Sequence, residues 1–61
     1  MSEFEIELVL TDRSYVIGSA NDEASALNSM AEAIRQYPRN HIRVRRGTAI
    51  IAERVPPRKP K

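Results

Sequence analysis

Few residues in this 61-residue chain could act as catalytic groups, because it has one histidine and no cysteine. A serine nucleophile would need that histidine, His41, as its base, together with an acid that orients it. The residues just before it, Arg39 and Asn40, supply no such acid. Asp22 and Glu23 are adjacent, and adjacent side chains on a helix point in different directions, so they do not form a catalytic pair. We therefore expect a protein that is not an enzyme.

Cofactor sites are not indicated either. The two glycines, Gly18 and Gly47, are too far apart to form the glycine-rich loop that cradles a phosphate. Without cysteine and with a single histidine, a zinc site of the common type has no ligand set. The prediction is that the chain binds no cofactor, no metal and no small-molecule substrate.

Basic side chains are concentrated in the second half of the chain. Residues 1–34 carry seven acids and one base, a net charge of −6, whereas residues 35–61 carry nine bases and one acid, a net of +8. Arginine suits phosphate because its planar fork reaches two oxygens at once. One hypothesis is therefore a nucleic-acid-binding protein, with strongly salt-dependent binding. Its candidate phosphate contacts are Arg39, Arg43, Arg45, Arg46, Arg54, Arg58, Lys59 and Lys61.

Two stretches alternate apolar and charged residues with period two, which is typical of half-buried strands. Residues 3–10 place acids on one side, and residues 41–46 place arginines on one side. The first stretch has as its inward residues Phe4, Ile6, Leu8 and Leu10 and as its outward residues Glu3, Glu5 and Glu7. Two further strands are predicted over residues 14–19 and 48–55, with a bulge or close backbone approach at Gly18 and a tight turn at Gly47.

Residues 21–37 predict an amphipathic helix. We expect Ser19 or Asn21 to cap its first turn and Pro38 to end it. Its apolar positions are spaced by threes and fours, as one stripe of a helix requires. These positions are Ala24, Leu27, Met30, Ala31, Ile34 and Tyr37.

The resulting order, ββαββ, predicts one small α+β domain over residues 1–55. Its four-stranded, mainly antiparallel sheet has the expected order 2-1-3-4, with the helix on one face. This order sets the acids of the first strand opposite Arg43 and Arg45, so that much of the charge asymmetry would be internal pairing. Residues 56–61 form a basic, proline-rich segment that we expect to be flexible.

Both predicted edge strands carry apolar residues on both faces, more than one helix can cover. In the second strand, Tyr15 and Ile17 are expected on one face and Val16 on the other. In the last strand, Ala49, Ile51 and Val55 are expected on one side and Ile50 and Ala52 on the other. Unpaired edges invite pairing with another chain. The leading hypothesis is therefore a small regulatory or adaptor protein that acts through protein contacts and forms a homodimer, with a candidate interface at Val16, Ile51 and Val55.

A membrane partner is not expected, since no apolar run approaches the roughly 18 residues that span a bilayer. The first residues, Met-Ser-Glu, lack the basic and apolar regions of an export signal. We expect a cytoplasmic protein.

Overall fold

The computed structural model describes residues 3–56 and has the predicted α+β architecture. Four antiparallel strands form one sheet in the order β2-β1-β3-β4, with a single helix on one face. Each element begins and ends within two residues of its predicted bounds. The elements are β1 (Phe4–Val9), β2 (Ser14–Ala20), α1 (Glu23–Gln36), β3 (His41–Arg46) and β4 (Ala49–Arg54).

The core lies between α1 and the two central strands. Ile6 pairs with Val44 and Leu8 with Ile42 across β1 and β3. Directly paired residues share a face of the sheet, so these side chains all point towards the helix. Ile6, Ile42 and Val44 are the largest side chains that are fully buried. Leu10, which we expected in the core, follows the end of β1 and is exposed.

The predicted apolar stripe of α1 is confirmed at Met30, which is buried, and at Ile34, which packs partly buried against the core, but its other members are exposed. The buried helix residues are Ala26, Met30 and Ala33, whereas Leu27 is 41% exposed. These three also have the spacing of one helix face, so spacing alone could not choose between the two stripes. Two alanines in this stripe let the helix lie close to the sheet. Among the predicted positions, Ala24 and Ala31 are exposed as well.

The cap of α1 is Asp22, which corrects the expectation of Ser19 or Asn21. The backbone N–H of Ser25 donates to Oδ1 of Asp22 over 2.7 Å. Hydrogen bonds from the Ser25 backbone and then from its side chain hold the pKa of Asp22 below the ordinary value of 3.8. Ser19 belongs to β2, because the helix begins at Glu23, later than the polar residues before it had suggested.

Both edge strands carry a bulge. The β1–β2 register shifts between Ile6 and Glu7, whose partners are Gly18 and Val16, so Ile17 is an extra residue. This shift confirms the bulge expected at Gly18. At Gly47 the backbone has φ 62°, as the predicted tight turn requires.

The second bulge corrects the predicted faces of β4. The β3–β4 register shifts so that Ala52 pairs with Val44 and Ile50 pairs with Arg45. Ala52 therefore lies on the helix side and Ile50 on the other side, whereas we had expected both on one side. An extra residue, Ile51, breaks the alternation between them. Among residues 3–56, no helix is long and apolar enough to cross a membrane.

Candidate binding surfaces

The face of the sheet that α1 does not cover carries Glu5, Glu7, Arg43 and Arg45, and we call it the open face. At its centre Glu7 is only 2% exposed, although strand alternation places it away from the core. Both Nε and Nη2 of Arg43 donate to Oε1 of Glu7, over 2.9 and 2.6 Å. On the other oxygen, Oε2, Nη2 of Arg45 makes an ion pair at 2.9 Å. One buried carboxylate thus holds two arginines.

Further polar contacts lie towards the ends of the open face. Nη2 of Arg45 also lies 3.5 Å from Oε1 of Glu5, and Nε2 of His41 lies 2.6 Å from Oε2 of Glu53. The residue after Arg45, Arg46, pairs with Glu3. Its guanidinium carbon lies 5.5 Å from the centre of the Phe4 ring, which is a cation–π distance. The strand arginines therefore have internal acidic partners, as the charge pattern predicted.

This arrangement has a direct chemical consequence for phosphate binding. A phosphate that took Arg43 from Glu7 would leave a buried carboxylate with less compensation. Removing one partner of a buried ion pair is strongly unfavourable, about 3–5 kcal/mol. The arginines of the open face are better suited to holding the sheet together than to releasing a carboxylate for an incoming anion. One donor there is unused, since Nε of Arg45 is buried without a hydrogen-bond partner within the described part of the chain.

The other candidate phosphate contacts lie elsewhere. Nη1 of Arg54 donates to the carbonyl oxygen of Pro38 over 2.8 Å, which brings Arg54 next to the loop that carries Arg39. The side chain of Arg39 is exposed and has no ion pair among residues 3–56. The predicted contacts Arg58, Lys59 and Lys61, and with them most of the expected flexible segment 56–61, lie outside the described residues.

The candidate protein interface divides into two surfaces. Val16, 54% exposed, pairs with Glu7 and so lies on the open face at the β2 edge. Ile51 lies in β4, and Val55, 66% exposed, directly follows it. Three strand spacings separate these edges, about 14 Å, and the Glu7–Arg43 pair lies between them. The three residues therefore do not form one continuous patch.

The β4 edge, consisting of Ile50, Ile51 and Val55, is the more uncovered of the two. The helix packs chiefly on β1, β2 and β3. All three side chains of the β4 edge are exposed. On the flank of the helix, about a quarter turn from the buried stripe, Leu27 is exposed too. Ile50 was missed as an interface residue because its face depends on the bulge at Ile51.

A cleft of about 260 Å³ lies between β2 and α1, and we call it the β2 cleft. Its strand side is formed by the consecutive residues Ile17, Gly18 and Ser19. The remaining lining residues are Ile6, Ser29, Glu32, Ala33, Gln36 and Tyr37. The sequence reading missed this cleft, because Ser29, Glu32 and Gln36 read only as the polar side of a helix. The signal available was Gly18, which leaves the strand without a side chain at the cleft.

Among the described residues, no three acidic or histidine side chains are close enough together to hold a metal ion. Comparison with protein-family models, with curated proteins and with solved structures finds no match.

Proposed function

We propose that this chain is a small adaptor or regulatory protein without catalytic activity, which binds a protein partner through the β4 edge. It also self-associates. The observation that carries the proposal is the contrast between exposed apolar side chains on the edge strands and arginines between them that already have acidic partners. On this proposal the protein works in the cytoplasm.

The backbone of an edge strand adds to the argument. β4 has a neighbouring strand only on the β3 side among residues 3–56. An edge of this kind can accept an extended segment of another chain through main-chain hydrogen bonds, while side chains beside it give specificity. Ile50 and Ile51 lie on this edge and Val55 extends it. Among residues 3–56, the β4 edge therefore combines backbone groups without a neighbouring strand and exposed apolar side chains, whose burial in a complex is favourable.

The experiment is capture of partners on the immobilised protein, from nuclease-treated lysate of cells that express it. Ile51→Glu should remove the partner, because a carboxylate on the β4 edge would have to be desolvated in the complex. Thr48→Glu is the matched control, since Thr48 is exposed in the turn before β4. It should leave capture unchanged, as should Arg58→Ala with Lys59→Ala. Capture that survives Ile51→Glu, or that occurs from untreated lysate but not from nuclease-treated lysate, would contradict the proposal.

Nucleic-acid binding is the second candidate, favoured by the exposed Arg39 beside Arg54 and by the basic residues that follow Pro57. Contacts of this kind go to phosphates. Each contact that is removed should weaken binding for all sequences alike and reduce the salt slope by about one unit. Arg39→Ala and Arg58→Ala therefore separate this candidate from the first, because an adaptor that uses the β4 edge should not respond to them.

A further inference from the structure

The β2 edge differs from the β4 edge in carrying no charged residue, and β2 contains no proline. All seven residues of Ser14–Ala20 are uncharged, whereas β4 carries Glu53 and Arg54. Natural edge strands are commonly protected by charges, prolines or bulges. β2 has only the bulge at Ile17. Tyr15 is 47% exposed, and Ile17, which lines the β2 cleft, is 37% exposed.

We propose that β2 pairs antiparallel with β2 of a second copy of this chain, forming one eight-stranded sheet with both helices on the same side. The proposal deepens the self-association in the proposed function and leaves the β4 edge of each copy free for a different partner. The alternation of side chains along β2 determines how the two strands can be aligned.

In one register of the two β2 strands, every residue lies opposite a residue whose side chain is on the same face of the sheet. Tyr15 pairs with Leu8 and Gly18 with Ile6, so both lie on the helix side, and Ile17 lines the cleft on that side as well. Val16 and Ser19 pair with Glu7 and Glu5 and therefore lie on the open face. A two-fold axis between Ile17 and Gly18 matches these faces at every position from 15 to 20. Shifting the register by one residue sets helix-side residues against open-face residues.

The side chains that meet in this register complement one another. Ile17 of each copy lies opposite Gly18 of the other, where the absence of a Cβ opens the β2 cleft. Two positions along on the same face, Tyr15 of each copy lies opposite Ala20 of the other. A buried phenol hydroxyl usually needs a hydrogen-bond partner, and that of Tyr15 already accepts from Nη1 of Arg13 over 3.3 Å.

Charge complementarity supports the same antiparallel arrangement. The single base of this region, Arg13, precedes β2, and Asp22 and Glu23 follow it. In the proposed register Arg13 of one copy lies opposite Asp22 of the other, twice per dimer. Arg13 also forms an ion pair within its own chain, in which its Nε lies 3.5 Å from Oδ1 of Asp12. A parallel pairing would instead set these acids against each other.

Cysteine cross-linking tests the register, because the chain has no cysteine of its own. Val16→Cys and Ser19→Cys are prepared on separate full-length chains, and one of the two chains carries a size tag. Both positions are exposed, so neither change disturbs the core. In the proposed dimer Val16 of one copy lies opposite Ser19 of the other, with Cα atoms about 4.5–5.5 Å apart, within disulfide range.

The mixture of the two chains should form the mixed disulfide on mild oxidation. Each variant alone should not, because Val16 and its symmetry mate are offset by three residues, about 10 Å, beyond the roughly 7 Å that a disulfide can bridge. Ile50→Cys, mixed with either chain, is the control at the opposite edge and should give no defined product. Sedimentation of the unmodified protein should show the mass of two chains.

A monomer in sedimentation at high concentration would overturn the proposal, as would equal cross-linking in every combination. Cross-linking of Ile50→Cys alone would move the interface to the β4 edge and contradict it equally. These outcomes are separable from failure of the adaptor function, which is read from partner capture by Ile51→Glu. A protein that dimerises through β2 and captures nothing would keep this inference and lose the proposed function.

Discussion

The two central strands and the two edge strands of this sheet differ in how completely their groups find partners. β1 and β3 have a strand on each side, the helix above and a row of ion pairs below, so that even the carboxylate of Glu7 is buried. β2 and β4 have one neighbouring strand each among residues 3–56 and expose several large apolar side chains. The charges of the central strands pair with one another, whereas the edges leave apolar side chains exposed.

This contrast reverses the usual expectation for a basic chain. A cluster of arginines raises the expectation of a phosphate ligand, yet here the acids of β1 face the arginines of β3 directly in the ladder, as Glu5 faces Arg45 and Glu7 faces Arg43. Counting charges along the chain overstates the cationic surface, because the two halves of opposite charge are neighbouring strands.

The largest expected effect is at the centre of the open face. Glu7→Ala should destabilise the fold by about 3–5 kcal/mol, because Arg43 and Arg45 would lose their shared buried partner. The measurement is the free energy of unfolding from denaturant titration. Glu5→Ala is the matched control, since Glu5 is nearly half exposed and its contact is longer. It should cost at most about 1 kcal/mol. Equal losses in the two variants would show that Glu7 is not a special partner.

The next effect concerns how closely the helix covers the central strands. Ala26 is fully buried against the sheet, and Leu27 is largely uncovered. Ala26→Leu should destabilise by about 1–3 kcal/mol through overpacking, while Leu27→Ala, which empties no buried space, should cost clearly less. The same denaturant titration measures both. The reverse ranking would restore the helix rotation that the sequence had suggested.

The smallest expected effect is at Asp22, the N-cap residue between β2 and α1. Because the folded pKa of Asp22 is below its unfolded value, its ionised cap contributes stability above about pH 4, and this contribution is lost as the pH falls through the folded pKa. Asp22→Asn keeps a capping oxygen without the charge, so it should remove this acid-dependent part and stay near wild type at neutral pH. Thermal unfolding followed across the acid range measures it.

The control for the cap is Asp22→Ala, which removes the acceptor for the Ser25 N–H. Its midpoint of thermal unfolding should fall at neutral pH as well. If Asp22→Asn and wild type lose stability in parallel on acidification, the carboxylate of Asp22 is not the group responsible.

The sequence was sufficient for the features that depend on period and on neighbouring charge. Alternation in residues 3–10 and 41–46 predicted β1 and β3, and the opposite charges on them predicted the order β2-β1-β3-β4. It was insufficient wherever one extra residue or one turn of helix mattered. The bulge at Ile51 reverses the expected relation of Ile50 to Ala52, and two stripes of α1 had equally helical spacing.

The binding surfaces were the least predictable part for the same physical reason. Val16 and Ile51 were predicted as interface residues because they are apolar and belong to the two predicted edge strands, and the observed strand order places them at opposite edges. Glu7 looked like an ordinary solvated acid, because burial on the open face depends on two arginines from another strand that close over it. The β2 cleft depends on how α1 sits beside the bulge, which no local pattern encodes.

We propose that the strand arginines belong to the fold and that binding takes place at the edges. The decisive measurement is fluorescence anisotropy of labelled duplex DNA and single-stranded RNA, titrated with the intact protein at low and near-physiological salt. We expect no binding to either probe at near-physiological salt, because the arginines of the open face remain with their glutamates. Micromolar binding that persists at that salt and declines steeply as more is added would contradict it.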